Sequence, residues 1–223
     1  MRQGRVTGMG YLLYGDRGSG SAMVEMALAE AGQPVDLREV PLEGDHQLRA
    51  AYLAINPMGR LPTLVLPDGT VMTESLAILL TIADRHPDAA LLPPAGSTER
   101  ALALRWMTLL AAEFYPHVTR WDYPDRFGPK DAAPAIRERA EALGHDVLRV
   151  IEDHAGLRSG DAPFLLGARF SVADIPVAVM SRWMGGRAWT PANLPRVEAL
   201  AQAVARRPAI APIWERHGLA AKR

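Results

Sequence analysis

The sequence predicts a mixed α/β domain over residues 1–85 followed by an all-helical domain over residues 98–223. Three observations carry this reading. Short apolar runs flank a helical pattern over residues 11–40, a hairpin feeds a helix over residues 56–80, and a proline-containing break over residues 86–97 is followed only by helical periodicities.

Tyr11-Leu12-Leu13-Tyr14 reads as a short buried strand, stopped by Gly15-Asp16-Arg17-Gly18-Ser19-Gly20. Residues 21–31 read as a helix ending at Gly32, and residues 35–40 as a second strand after the Gly32-Gln33-Pro34 turn. Strand, helix and strand of this size make a parallel crossover. Residues 45–54 carry a weaker helical pattern. A Gly-containing turn then leads to Pro62, which has no N–H for a strand ladder and so suits a strand's first residue or a turn. Thr63, Leu64, Val65 and Leu66 form a β run, and Pro67-Asp68-Gly69-Thr70 has turn chemistry, with φ preset at Pro67 and a positive φ open to Gly69. A second short run enters a helix opening at Thr73-Glu74-Ser75. Thr73 is the expected cap, Glu74 complements the positive helix end, and Leu76, Ile78, Leu79 and Leu80 give the apolar face. Free N–H groups at such a helix start also suit a small anion. The order βαβ, α, ββα is that of a thioredoxin-like domain ending near Arg85.

Pro87, Pro93 and Pro94 mark the expected linker, residues 86–97. Helical patterns follow over residues 98–121, 132–154, 172–184 and 194–206, with a short one at 210–217. Within Phe170-Ser171-Val172-Ala173-Asp174-Ile175, Ser171 and Asp174 have capping-box spacing, and Phe170 and Ile175 stand at staple positions. The expected role is structural.

Composition removes several function classes. Lys plus Arg and Asp plus Glu are both 25, so the formal net charge is zero and nothing favours a nucleic-acid or membrane-surface partner. Cysteine is absent, which excludes disulfides and a protein thiol as nucleophile. No apolar run is long enough for a signal peptide or a membrane span, so a soluble cytoplasmic protein is expected. Gly18-x-Gly20 fails the dinucleotide fingerprint because Met23 stands at the third glycine position. The six histidines (His46, His86, His117, His145, His154, His217) lack metal-ligand spacing, so no metal is expected.

Asn56-Pro57-x-Gly59-Arg60-Leu61-Pro62-Thr63-Leu64, together with Glu74-Ser75, resembles the glutathione-binding segment of glutathione S-transferases. The segment from Phe170 to Ile175 is similar to one at the buried helix of that family's helical domain, and the resemblance covers nearly the whole chain. It implies a cis Pro62, a Leu61 backbone offered to the cysteinyl amide of glutathione, and a Glu74-Ser75 pair holding the γ-glutamyl end. Arg60 would meet the glycyl carboxylate. The resemblance further implies a bacterial-type, cytosolic homodimer that uses glutathione as co-substrate against a hydrophobic electrophilic small molecule.

A thiol with a pKa near 8.5 is only about 3% thiolate at pH 7, and lowering that pKa by about two units asks the site for about 2.7 kcal/mol. A hydroxyl donor and the N-terminus of the first helix can supply this. In the family the donor is a Ser, Tyr or Cys near the end of the first strand. Ser19 is the first candidate here, Tyr14 and Ser21 are the others, and a site using only backbone N–H groups is the fourth option. Tyr115, His117 and Trp121, on or near the first long helix, would face the electrophile, while Trp106 reads as core. The expected reaction is glutathione transfer. An isomerase, a dehalogenase or an ether-cleaving enzyme on the same scaffold, and a non-catalytic binding module, are the alternatives.

Overall fold

In the computed structural model, which describes residues 10–157 and 162–221, four strands form one mixed sheet in the order β2-β1-β3-β4. The strands are β1 (Tyr11–Gly15), β2 (Val35–Glu39), β3 (Thr63–Val65) and β4 (Val71–Met72). β1 is central, parallel to β2 and antiparallel to β3, with Tyr14 opposite Thr63. β3 and β4 pair as an antiparallel hairpin, with Leu64 opposite Met72. Gly69 turns that hairpin with φ 86°, and its N–H donates to the Leu66 carbonyl at 2.8 Å. β2 is a mostly exposed edge on which Asp36, Arg38 and Glu39 discourage further strand pairing.

Helices α1 (Ser21–Glu30) and α3 (Ser75–Arg85) pack against each other. α1 is buried from Ser21 to Leu28, and α3 buries Ser75, Ile78, Leu79 and Ile82 on one helical stripe. The helix expected over residues 45–54 is broken. Arg49 is extended, with φ −74° and ψ 146°, and divides a 3-10 turn, His46–Leu48, from the short α2 (Ala50–Leu53). Only Gln47 and Tyr52 are buried across these two pieces, too little apolar surface to sustain a longer helix. Strand and helix order is therefore the thioredoxin-like one.

The chain divides into two compact units, Met1–Ala89 and Ala90–Arg223. The second contains α4 (Thr98–Leu109), α5 (Tyr115–Asp122), α6 (Ala133–His154), α7 (Asp174–Met180), α8 (Gly186–Asn193), α9 (Pro195–Ala205) and α10 (Ala211–Arg216). The single helix expected over residues 98–121 is interrupted by a π-helical turn, Leu110–Phe114. Pro116 is the cause in the sequence: it has no N–H to donate one turn back, and its ring crowds the preceding turn. α8 has no counterpart in the sequence reading, because Gly185, Gly186 and Pro191 look like loop chemistry. Gly186 is there for contact, since a Cβ at that position would sit 2.2 Å from the Ser181 carbonyl oxygen. Glu152 of α6 caps α9 from outside, accepting the N–H groups of Arg196 and Val197 at 3.1 and 2.8 Å.

α7 is buried along its whole length. It begins at Asp174 and not at residue 172, and only half of the expected capping box forms. Asp174 accepts the Ser171 N–H at 2.7 Å, but the Ser171 hydroxyl also donates to that carboxylate, at 3.1 Å, in place of receiving a backbone N–H. The other carboxylate oxygen accepts the Leu165 N–H at 2.7 Å. Phe170 packs edge-on against Phe164, with the Arg207 guanidinium 3.8 Å from its ring centroid.

Asp174→Ala strands two buried N–H donors, so urea unfolding should show a loss of about 2 to 5 kcal/mol, against about 0.5 to 2 kcal/mol for Ser171→Ala. Burial pushes the Asp174 carboxyl up to about 6, against the pull of the Leu165 and Ser171 donors. The folded chain then binds this proton more tightly than the unfolded chain, where the group titrates near 3.8. Its contribution to stability is complete below about pH 4 and lost as pH rises through about 6. Asp174→Asn should flatten the stability profile across that window, and an unchanged profile would show that Asp174 is not its source.

Candidate functional site

The loop between β1 and α1 is built around Asp16. Its carboxylate accepts the N–H groups of Arg17 and Leu42, each at 2.8 Å, and so ties the loop to the chain leaving β2. Its carbonyl accepts the Ser19 hydroxyl at 2.8 Å, the Ser21 hydroxyl at 3.1 Å and the Ser19 N–H at 3.2 Å. The two hydroxyl oxygens lie 2.9 Å apart. Ser19 Oγ also accepts the N–H groups of Asp16 and Ser21, at 3.3 and 3.2 Å. Ser21 is the first residue of α1, and its side chain caps no helix N–H. Its hydroxyl instead fills the space above Gly15, where a Cβ would stand 2.3 Å from Ser21 Oγ.

A second loop carries the Leu61-Pro62 peptide bond, which is cis. Buried polar groups from α2 and the turn after it hold both flanks of that bond. Tyr52 donates its hydroxyl proton to the Arg60 carbonyl at 2.7 Å, so at its 2.8 Å contact with Thr63 the threonine hydroxyl must be the donor. The two amide protons of Asn56 go to the Arg60 carbonyl at 2.8 Å and to Thr63 Oγ1 at 3.1 Å. The chain of donors thus closes on one carbonyl, with Asn56 Oδ1 taking the Met58 N–H at 3.1 Å. Burial raises the Tyr52 pKa, against the hydrogen bonds from Thr63 and Asn56 that lower it. The Tyr14 ring packs edge-on against Tyr52 at 5.9 Å, and no protein partner engages the Tyr14 hydroxyl among the described residues.

The third element is the start of α3. The residue before the helix is Glu74 and not Thr73, and the Glu74 side chain makes no capping hydrogen bond. Glu74 is exposed and stands at φ 63° and ψ 101°, a conformation that costs a non-glycine residue on the order of 1–3 kcal/mol. The β1–β3 register, continued past the strand ends, sets Asp16 beside Leu61. β4 runs antiparallel to β3 and is followed directly by α3, so the chain enters α3 at the end of the sheet where β3 begins and β1 stops. Both α1 and α3 therefore begin at the same edge of the sheet, with their positive ends towards one place.

Arg60 contributes its carbonyl to the Tyr52–Asn56 clamp. In the helical unit, the expected electrophile residues separate. Tyr115 packs edge-on against Trp183 at 5.6 Å, and Trp121 donates its indole N–H to Glu141 at 3.4 Å. His117 lines a cavity to which neither of the other two contributes, and burial, followed by the nearby Arg120, lowers its pKa. Sequence reasoning missed Asp16 and Tyr52. An aspartate in a Gly-rich loop is a turn signal that could have flagged the first, whereas Tyr52 looks like any core aromatic.

The family model for the glutathione S-transferase N-terminal domain matches residues 20–85. The GST-like protein YncG of Escherichia coli K12 is 30% identical over 206 residues, 92% of this chain and 97% of that protein. Glutathione S-transferase GstA of Escherichia coli O157:H7 is 30% identical over 207 residues, covering 91% and 96%. Among solved structures, a glutathione transferase homologue from Sulfitobacter with bound glutathione superposes with a TM-score of 0.84 at 28% identity, over 92% of this chain and 97% of that one.

The clamp is an energetic unit. Asn56→Ala removes two buried donors and one acceptor, and denaturant unfolding should show a loss of about 2 to 4 kcal/mol. Tyr52→Phe, which leaves the Arg60 carbonyl its Asn56 donor and strands only the Thr63 hydroxyl proton, should cost about 1 to 2 kcal/mol, less than Asn56→Ala. Equal losses for the two would contradict the donor chain described above.

Proposed function

The chain belongs to the glutathione S-transferase family, and we propose that it activates glutathione as a thiolate for attack on an electrophilic carbon of a hydrophobic small molecule. The observation that carries this reading is the convergence of two helix N-termini and the Leu61 backbone at one sheet edge. Glutathione offers matching groups: a γ-glutamyl carboxylate for the positive N-terminal end of α3 with Glu74 and Ser75, a cysteinyl amide for Leu61 beside Pro62, and a glycyl carboxylate for Arg60. Its sulfur then falls to the start of α1. The thiolate forms the C–S bond, and the leaving group departs with its electron pair or the substrate carbon takes up a proton.

We assign the activating hydroxyl to Ser19. Two N–H groups donate to its oxygen, which makes its own proton a better donor. That proton can swing from the Asp16 carbonyl to a thiolate without leaving the carbonyl unpaired, because Ser21 and the Ser19 N–H still donate there. Tyr14 and Ser21 are the other donors this reading admits. On the electrophile side, Tyr115 and Trp121 stay assigned to the pocket, and His117 stands apart from them in its cavity. The chain is read as a cytoplasmic homodimer, as its family resemblance implies. One observation favours a second reading, a binding module without thiol activation: both loop hydroxyls are already engaged with the Asp16 carbonyl.

Thiolate absorbance of bound glutathione separates the two readings. It should titrate well below the free thiol, and Ser19→Ala should move it back by roughly one to two pH units, with a ten- to hundredfold loss of rate at neutral pH. Tyr14→Phe and Ser21→Ala should leave it nearly unchanged. If glutathione binds to the wild type with an unshifted thiol pKa, the module reading replaces the enzyme. Glu74→Gly should relieve the positive φ, leaving stability equal or raised by up to about 1 kcal/mol, while weakening glutathione binding in titration calorimetry. A variant that is destabilised and binds normally would reverse the role given to Glu74.

A further inference from the structure

Asp16 stands where β1 would continue and does not. The β1–β2 ladder ends in register with Gly15 opposite Glu39, and its last rung is the Val40 N–H donating to the Gly15 carbonyl at 2.9 Å. In a parallel ladder the next two rungs would join the Arg17 N–H to the Val40 carbonyl and the Leu42 N–H to the Arg17 carbonyl. The Asp16 carboxylate takes both donors, the Arg17 N–H on Oδ1 and the Leu42 N–H on Oδ2, each at 2.8 Å. Strand pairing therefore stops at Gly15. Residues 16–19 close a turn in which Gly18 stands at φ 74° and the Ser19 N–H meets the Asp16 carbonyl at 3.2 Å. Without that carboxylate the two N–H groups would return to the ladder, and the longer strand would carry Ser19 off the start of α1.

The same residue holds the serine hydroxyls through its backbone. Its carbonyl faces the Ser19 hydroxyl, the Ser21 hydroxyl and the Ser19 N–H, three donors for two lone pairs, so neither hydroxyl is bound at full strength. The carboxylate fixes where that carbonyl points, and the carbonyl fixes Ser19. Charge gives no reason for an acid here, since a carboxylate near a thiol opposes its ionisation. We propose that Asp16 is a positioning residue for thiol activation: by capturing the two N–H groups that would extend β1, it ends the strand and sets the Ser19 hydroxyl at the place of the sulfur. This role rests on Ser19 being the activating hydroxyl.

Titration of the thiol of bound glutathione in the full chain tests this, because charge and placement act with opposite signs. Asp16→Asn removes a negative charge, which alone would lower the thiol pKa, but it leaves one side-chain oxygen for two N–H donors and so misplaces Ser19. The expected result is a rise of about one pH unit, with kcat down roughly tenfold at neutral pH. Affinity for S-methylglutathione, which has no thiol to ionise, should stay within about twofold of wild type. Asp16→Glu keeps the charge and lengthens the side chain; it should raise the thiol pKa as well, and it replaces Asp16→Asn if that variant does not fold. In a Ser19→Ala background neither substitution should raise the pKa further. A rise there equal to that in the wild-type background would show that Asp16 does not act through Ser19, and would overturn the proposal. An unchanged or lowered thiol pKa at position 16, beside a raised one in Ser19→Ala, would overturn the role of Asp16 and leave the Ser19 assignment standing. An unshifted Ser19→Ala would overturn that assignment and the role of Asp16 with it.

Discussion

The antiparallel pairing of β1 with β3 is the constraint on which the candidate site depends. It sets Tyr14 against Thr63 and, by continuation, the Asp16 loop beside Leu61. A slip of one residue would turn every β3 side chain to the opposite face of the sheet. Leu64 would then leave the core, and Thr63 would lose Tyr52 and Asn56. The register is therefore held twice over. Apolar burial of Leu13 and Leu64 holds it in the core, and the donor chain closing on the Arg60 carbonyl holds it at the edge.

That edge concentrates polar groups that a stable fold alone does not require. Tyr52, Asn56 and Thr63 are all buried, and each pays its desolvation through geometry that fixes Leu61 and Pro62 from both sides. Ser19 and Ser21 fix the other loop through a single carbonyl. Glu74 does the reverse, holding a backbone conformation that a glycine would adopt more easily. Rigid loops around one strained residue are what a site needs when it must present backbone groups to a ligand with little reorganisation.

Most of this architecture was legible from periodicity and turn chemistry. β1, α1, β2 and the β3–β4 hairpin appear where apolar runs and Gly or Pro punctuation put them, because each is a local unit with one buried face. The failures have tertiary causes. Thr73 is a better cap by composition than Glu74, but the helix starts where the hairpin releases the chain. The π-helical turn before Tyr115 was readable from Pro116 and was overlooked, whereas α8 was hidden because Gly186 serves a close contact with Ser181 that no local pattern reports. At the site, the Asn-Pro-x-Gly-Arg-Leu-Pro segment was visible as a family resemblance. The Tyr52 half of the clamp was not, since its partners lie 8 and 11 residues away and only the fold brings them together. The expected electrophile residues share one stretch of sequence yet point to different neighbours, because a helix distributes successive side chains around its axis.

In the proposed function, one sheet edge presents two helix N-termini, the Leu61 backbone and the Ser19 hydroxyl to a single ligand. A crystal structure of the chain with glutathione tests this most directly. The γ-glutamyl carboxylate is expected at the N–H groups that open α3, the cysteinyl amide on the Leu61 backbone, and the sulfur within hydrogen-bond distance of Ser19 Oγ. A sulfur bonded to the Tyr14 hydroxyl would contradict the assignment of Ser19, and glutathione bound away from Leu61 and the start of α3 would contradict the site itself.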